Sequence, residues 1–328
     1  MSVQVGVYNI GGDIPVAGNL DYESASWTHV VNDFGTAIIT LNACDDIALN
    51  FHPFVHEIRI TDDGELAFAG PIRYVVMPMQ AGGKMEIIAY DLAYWLQVRH
   101  THLDVDFTGT GTFVSDVVGT IVVAALSPSP VGVELSITEC PVVHDRIVKP
   151  FELAWQNHLA SIVGTLMNMS VHGRTLHFWC IDECIGILPN ASTSDFVNFN
   201  SLVRDGDTFT TSAALIGEGT VLGTAGGVHP VWPVLVERTI TDTTYLNDAS
   251  ATAAAAAMIS ERAKMTFGEN DLFTAELNCN GPWPLTRVIP GACTLIASPY
   301  GVLQLSVRKT ISTVQGGVIT RSIGFKEI

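Results

Sequence analysis

His56-Glu57-Ile58-Arg59-Ile60-Thr61, then Asp62-Asp63-Gly64, then Glu65-Leu66-Ala67-Phe68: the reading of this stretch decides the fold. His56, Ile58 and Ile60 alternate with Glu57, Arg59 and Thr61, the period of a half-buried strand. Asp62-Asp63-Gly64 supplies the positive φ that a tight hairpin needs. Leu66 and Phe68 then resume the alternation on a returning strand. Gly70-Pro71 interrupts it, because proline has no N–H for a ladder and so marks a bulge or an edge. Working outward, Ala37–Leu41 is a β-branched run upstream. Ala81-Gly82-Gly83-Lys84 turns the chain into a further strand at Met85–Ala89, and Asp91–Val98 reads as one or two helical turns. Residues 1–98 therefore read as a first β-barrel.

Part of this frame returns later. Pro53 is followed eleven residues on by Gly64, then Leu66 and Phe68; Pro290 is followed eleven residues on by Gly301, then Leu303 and Leu305. Ile58 matches Leu295 in that frame, and Leu41-Asn42 matches Leu277-Asn278 with a slip of one. A duplication of this kind predicts two related barrels in one chain.

Between the two, residues 99–184 change character and read as an α/β insert. Phe113–Leu126 and Pro150–Met169 are expected to be helices from their apolar spacing, and Ser170–Cys180 a hairpin turning at His172-Gly173. Residues 185–328 read as the second barrel. It is interrupted by a helix at about 246–266, where Asn247 or Asp248 is the cap and the run Ala251–Ala257 has high helix propensity. Gln315-Gly316-Gly317 turns the last hairpin. The fold class is α+β, mainly β.

Composition limits function. The chain is 48% hydrophobic and 15% charged, with mean hydropathy +0.33. Its apolar runs are far shorter than the roughly 20 residues of a membrane span, so the surplus apolar surface is assigned to subunit interfaces. A net charge of −17 opposes sequence-independent nucleic-acid binding. The charge is concentrated early: nine acidic residues lie between Asp21 and Glu65 against one basic residue, Arg59. Asp33, Asp45, Asp46, Asp62 and Asp63 are the candidates for an acidic interface or pore lining. Six scattered cysteines, with no cleavable signal at Met1, are expected to be reduced and mostly buried.

Chemistry is sparse. In Arg99-His100-Thr101-His102-Leu103-Asp104-Val105-Asp106, a strand would put His100, His102, Asp104 and Asp106 on one face, and two His with carboxylates can hold a divalent metal. Val105 occupies the place of the last His of the metallo-hydrolase pattern, so the preferred reading is a polar strand face, with no metal and no cofactor assigned. His52-x-x-x-His56-Glu57 has the wrong order for a zincin helix. Gly217-Glu218-Gly219-Thr220-Val221-Leu222-Gly223 lacks both the βαβ context and the Lys-Ser/Thr of a phosphate loop, and reads as a turn. No catalytic constellation is found.

The pattern Trp27-x-x-x-x-Asn32-Asp33-x-Gly35, the strand Gly64-x-x-x-Phe68-x-Gly70-x-Ile72 and Tyr90-Asp91-Leu92 resemble the tail-hub, or baseplate-hub, proteins of tailed bacteriophages. In actinobacterial siphophages such chains are called minor tail proteins. The resemblance implies two tail-tube-like β-barrels with an α/β insert, trimerising into a pseudo-sixfold ring below the tail tube. It implies a virion tail protein, assembled in the host cytoplasm, whose partners are itself, the distal tail protein, the tape measure protein and tip or fibre proteins. DNA would pass through the lumen without specific binding, and an acidic wall would repel its phosphates. Two other functions stay open: a tail-associated cell-wall hydrolase with its site in Arg99–Cys180, and a receptor- or carbohydrate-binding tail module.

Overall fold

The computed structural model of the protein describes the chain apart from residues 1, 42–49, 80–82, 129–130, 200–203, 206–209, 229–234, 263–265, 268–272, 278–282, 284–287 and 300. The first half is β1 (Val3–Asn9), β2 (Pro15–Ala17), β3 (Tyr22–Val30), β4 (Thr36–Leu41), β5 (His56–Asp62), β6 (Glu65–Val76) and β7 (Met85–Tyr90). Then follow α1 (Tyr94–Val98), β8 (Val105–Asp106), α2 (Val114–Leu126), β9 (Glu134–Ile137), β10 (Ile147–Val148), β11 (Met167–His172) and β12 (Thr175–Cys180). The second half begins with β13 (Gly186–Ile187), β14 (Ala191–Ser192), β15 (Phe196–Phe199), β16 (Arg204–Asp205), β17 (Ser212–Ile216), β18 (Leu222–Gly226) and β19 (Glu237–Thr241). It ends with α3 (Asp248–Arg262), β20 (Thr266–Phe267), β21 (Phe273–Leu277), β22 (Ala292–Ser298), β23 (Gly301–Gln315) and β24 (Val318–Glu327). The protein is mainly β with α+β character.

The deciding stretch forms the expected hairpin, but Glu57 of the expected outer face is fully buried, β6 runs on through Gly70-Pro71, and the ladder skips Ala67 between Leu66 and Phe68. Ile58, Ile60 and Phe68 are fully buried, and Asp63 (φ 49°) and Gly64 (φ 88°) both turn through the left-handed region. Gly316 and Gly317 do the same between β23 and β24. Among the described residues no barrel closes on itself. Instead, one large sheet runs through both halves.

That sheet contains the same strand order twice. In the first half β3-β4-β7-β6-β5 are neighbours in that order; in the second, β15-β21-β24-β23-β22 are. Two irregularities repeat with the order, while the skip of Ala67 in β5/β6 has no counterpart in β22/β23. Ladder β3/β4 skips Glu23 between Tyr22↔Leu41 and Ser24↔Thr40, and β15/β21 skips Val197 between Phe196↔Leu277 and Asn198↔Glu276. Ladder β6/β7 skips Arg73 between Ile72↔Ala89 and Tyr74↔Ile88, and β23/β24 skips Arg308 between Val307↔Phe325 and Lys309↔Gly324. A bulge is a specific bend in a strand, so four bulges in two matched pairs make the likeness of the halves a matter of backbone geometry.

Both prolines of the sequence frame also hold equivalent places. The residue after each has positive φ, Phe54 at 59° and Gly291 at 101°. Each donates its N–H across the sheet, Phe54 to the Ile72 carbonyl at 3.0 Å and Gly291 to the Val307 carbonyl at 2.7 Å. The frame slips by one residue before the hairpin and by one more at the Ala67 bulge, beyond which Arg73 matches Arg308. Leu295, set against Ile58, is 39% exposed, whereas Ile296 is fully buried. The hairpins instead align through Asp62↔Glu65 and Ser298↔Gly301. A shift of one residue along a strand changes the face, and Ile60 then corresponds to Ile296.

The two halves meet through one strand. Up to Ser306, β23 pairs with β22; beyond its bulge, Lys309–Gln315 pairs with Val30–Ser24 of β3. This seam joins the halves by a continuous ladder.

Between β15 and β21 lies the segment that carries α3. Asn247 caps the helix, its Oδ1 accepting the Ser250 N–H at 2.8 Å. Ala251, Ala254 and Ala255 are buried, and their small size lets α3 sit directly on β18: a Cβ added at Gly223 would lie 2.1 Å from the Ala251 carbonyl carbon. These alanines share one apolar cluster with α2, Leu159, Ile162 and Phe178 of the 99–184 segment. The halves of the large sheet have separate clusters around Ile39, Ile58 and Phe68, and around Ile296, Leu305 and Phe325.

Two expectations fail. The predicted helix over Pro150–Met169 is a single π-helical turn at Ala154–His158, then a 3-10 turn at Leu159–Ser161. Gly164 (φ 82°) ends the helical backbone, and Met167–His172 becomes β11, paired with β12. Four of the six cysteines expected to be reduced are joined as Cys140–Cys180 and Cys184–Cys293, while Cys44 and Cys279 lie outside the described residues. Sequence separations of 40 and 109 gave no sign that folding would bring their Cα atoms to 5.2 and 5.8 Å.

Candidate functional site

The residues that carry the sequence pattern of the first half are joints between segments. Asn32 sits at φ 65°, a conformation asparagine tolerates better than most residues. Its N–H donates to the Met169 carbonyl, its Oδ1 accepts the Met169 N–H and its Nδ2 donates to Asn168 Oδ1, each at 2.8 Å. The turn after β3 is thereby bound to β11. Asp91 is buried, with Oδ2 accepting the Gly35 N–H at 2.6 Å and Oδ1 the Ala93 N–H at 3.1 Å. Burial outweighs these donors and pushes its carboxyl up to about 7. Gly35 and Gly70 are required by close approach. A Cβ would lie 2.4 Å from the Thr28 carbonyl oxygen at the first and 1.7 Å from the Tyr90 carbonyl oxygen at the second.

Three buried ionic groups escaped sequence reasoning. Glu57, fully buried, is held by Arg59 at 2.7 Å and by Arg174 of the β11–β12 turn at 2.6 Å. Asp62 pairs with Arg321 of β24 in the core, and burial lowers that guanidinium to about 10. Arg146 donates to Ser161 Oγ at 2.8 Å and to His158 Nδ1 at 3.3 Å. His158 and the nearby His144 are held down to about 4, chiefly by burial and then by Arg146. Apart from Glu57 and Arg59, two residues apart on β5, no local pattern announces such contacts, because their members lie 12 to 259 residues apart.

An exposed apolar edge distinguishes the surface. Arg73 lies over the rings of Phe54, Tyr74 and Tyr94 at 5.2–5.3 Å, and Tyr90 stacks on Tyr94 at 4.7 Å. Past this group Tyr74, Val76, Met77 and Met79 are exposed, Met79 at 99%. Arginine with aromatics and methionine is the composition of interface centres.

The candidate metal ligands do not share a strand, because β8 spans only Val105–Asp106, and three of the four are otherwise engaged. His100, His102, Asp104 and Asp106 are all exposed. Asp104 pairs with Lys149 at 2.9 Å, Asp106 Oδ1 accepts the Thr108 N–H at 2.8 Å, and His102 meets Phe151 edge-on at 5.8 Å. Among the described residues no three His, Cys, Asp or Glu side chains gather as a metal site would need. His52 N–H donates to His56 Nδ1 at 3.0 Å at the start of β5, and of the glycine-rich stretch residues 217–221 make the turn between β17 and β18 while Leu222 and Gly223 begin β18. Of the acidic candidates, Asp33 and Asp63 are exposed, with Asp63 accepting the Ser2 N–H at 2.7 Å. Asp62 is withdrawn from the surface by its ion pair, and Asp45 and Asp46 lie outside the described residues.

The fold is that of phage tail proteins. The chain superposes on the tail protein from Neisseria meningitidis MC58 with a TM-score of 0.65 at 13% identity, over 100% of this chain and 97% of that one. The 43 kDa tail protein of prophage MuSo2 from Shewanella oneidensis gives 0.62 at 8% identity, over 99% and 98%. Prophage tail protein gp18 from Listeria monocytogenes EGD-e gives 0.57 at 10% identity, over 98% and 94%. No family model matches the sequence, and neither does any curated protein.

Proposed function

We propose that this chain is a structural subunit of the central hub of a phage tail tip, a homotrimer that continues the tail tube and has no enzymatic step of its own. The observation that carries the reading is the strand order present twice in one sheet, with matched bulges. Three such chains offer six like units to a sixfold tube. The likeness to tail proteins over nearly their whole length supports the same assignment.

On this reading the hub joins the distal tail protein on one side and tip or fibre proteins on the other. It holds the end of the tape measure protein and passes DNA through its lumen. Its role is mechanical: to keep a ring intact until the genome is released. The exposed carboxylates Asp33 and Asp63, if turned inward, would repel phosphate and keep DNA from adhering.

Imaging of intact tails, with the native mass of the purified protein, tests this. Three copies around the axis at the distal end of the tube are expected. A single off-axis copy, or placement only in fibres, would sink the proposal. Asp33 and Asp63 on the outer wall would remove the acidic-lumen part alone.

A further inference from the structure

The seam within the chain implies a second seam between chains. Beyond the bulge at Arg308, β23 outruns β22 and its far end is taken up by β3. Beyond the equivalent bulge at Arg73, β6 likewise outruns β5, whose last partner is Pro71. There Tyr74–Val76 has β7 on one side and, among the described residues, no strand on the other. This is the edge along which Tyr74, Val76, Met77 and Met79 are exposed. The matching acceptor is β15, the counterpart of β3. It pairs with β21 and ends the sheet, with Val197 60% exposed. Unpaired apolar edges of this kind are normally blunted by charge, and neither carries any in these residues.

We propose that the β6 edge of one copy joins the β15 edge of a second copy by repeating the β23–β3 seam. The proposal rests on the hub reading and adds which strands meet and in what register. In the chain, Val314 stands six residues past the Arg308 bulge and faces Ala25, two past the Glu23 bulge. Counting alike from Arg73 and Val197 sets Met79 of one copy opposite Phe199 of the next. Pro78 has no N–H and leaves out one rung. Because the two edges differ, the contact is heterologous, and repetition closes a ring in which chain-internal and chain-to-chain seams alternate.

Opposed residues across antiparallel strands are close enough for a disulfide. The test uses the full chain with Met79→Cys and Phe199→Cys together, against the single variants and the wild type, under mild oxidation. Ser26→Cys with Thr313→Cys, whose native hydroxyls are 3.2 Å apart, reports an intact internal seam. The expected result is intermolecular cross-linking in the double variant alone, while the 26/313 pair cross-links within one chain. A native mass showing assembly without the 79/199 cross-link would overturn the proposed register and leave the hub reading standing. A monomer at every concentration, without cross-links, would overturn both. Should the double variant misfold, Val76→Asp gives a second measurement. It leaves a folded chain that assembles at least tenfold less tightly; unchanged assembly would again overturn the proposal.

Discussion

Asp91 and the buried histidines give the protein opposed responses to pH. The folded-state value of Asp91, about 7, lies above the ordinary 3.8, so its contribution is full at low pH and is lost as pH rises toward 7, by about 4 kcal/mol at most. His29 and His144 are lowered to about 4, chiefly by burial. Their contribution is full above the ordinary value of 6.5 and is lost as pH falls toward 4, on the order of 3 kcal/mol each. Asp91→Asn removes the first slope and leaves the second. Urea unfolding at pH 7.5, 5.5 and 4.5 should therefore show a steeper loss on acidification in the variant than in the wild type; parallel curves would contradict this. Gly70→Ala makes a cruder test. A methyl group 1.7 Å from the Tyr90 carbonyl oxygen has to displace backbone, and a loss of about 2–4 kcal/mol or insoluble protein is expected.

At the scale of elements, the ties between segments dominate. The Cys184–Cys293 bond joins the segment after β12 to β22 across 109 residues, a closure worth about 5 kcal/mol by chain entropy. Reductant should lower the melting temperature by several degrees, and Cys184→Ala should reproduce most of the fall. A melt insensitive to reductant, with all thiols titratable before unfolding, would mean the bond does not form. The elements also show what was legible in advance. The β5–β6 hairpin, α2, the β11–β12 hairpin and α3 could all be read from the sequence, because alternation, turn glycines and alanine propensity act over a few residues. The helix at Pro150–Met169 misled because apolar spacing of three and four is also met where a short irregular turn leads into a buried strand. Gly164 was the local signal against it. The Glu57–Arg174 and Asp62–Arg321 ion pairs and the hydrogen bonds of Arg146 carried no local signal, since each is made by the fold that it then holds.

For the whole molecule, the sequence pointed to a repeat through two prolines, one of which is followed by glycine and the other by phenylalanine. The backbone explains both. Gly291 fits its positive φ without strain, while Phe54 bears the same conformation with its ring against Arg73. Gly291→Ala should then cost about 2 kcal/mol or more, since its new Cβ would also lie 2.6 Å from the Trp179 ring. Phe54→Gly should relax the backbone while weakening any assembly that uses the Arg73 patch, measurable as a stable but more dissociated particle. If Phe54→Gly left assembly unchanged, the patch would have no part in it.

Strand β23 has one further consequence. Since its near end belongs to one half and its far end is stitched to β3, the halves lack a hinge. A load that tries to slide one half along the other falls on a row of parallel hydrogen bonds, which share it and resist together. Opening the same row from one end would break them singly. The molecule is thus stiff against shear along its strands and weaker against peeling.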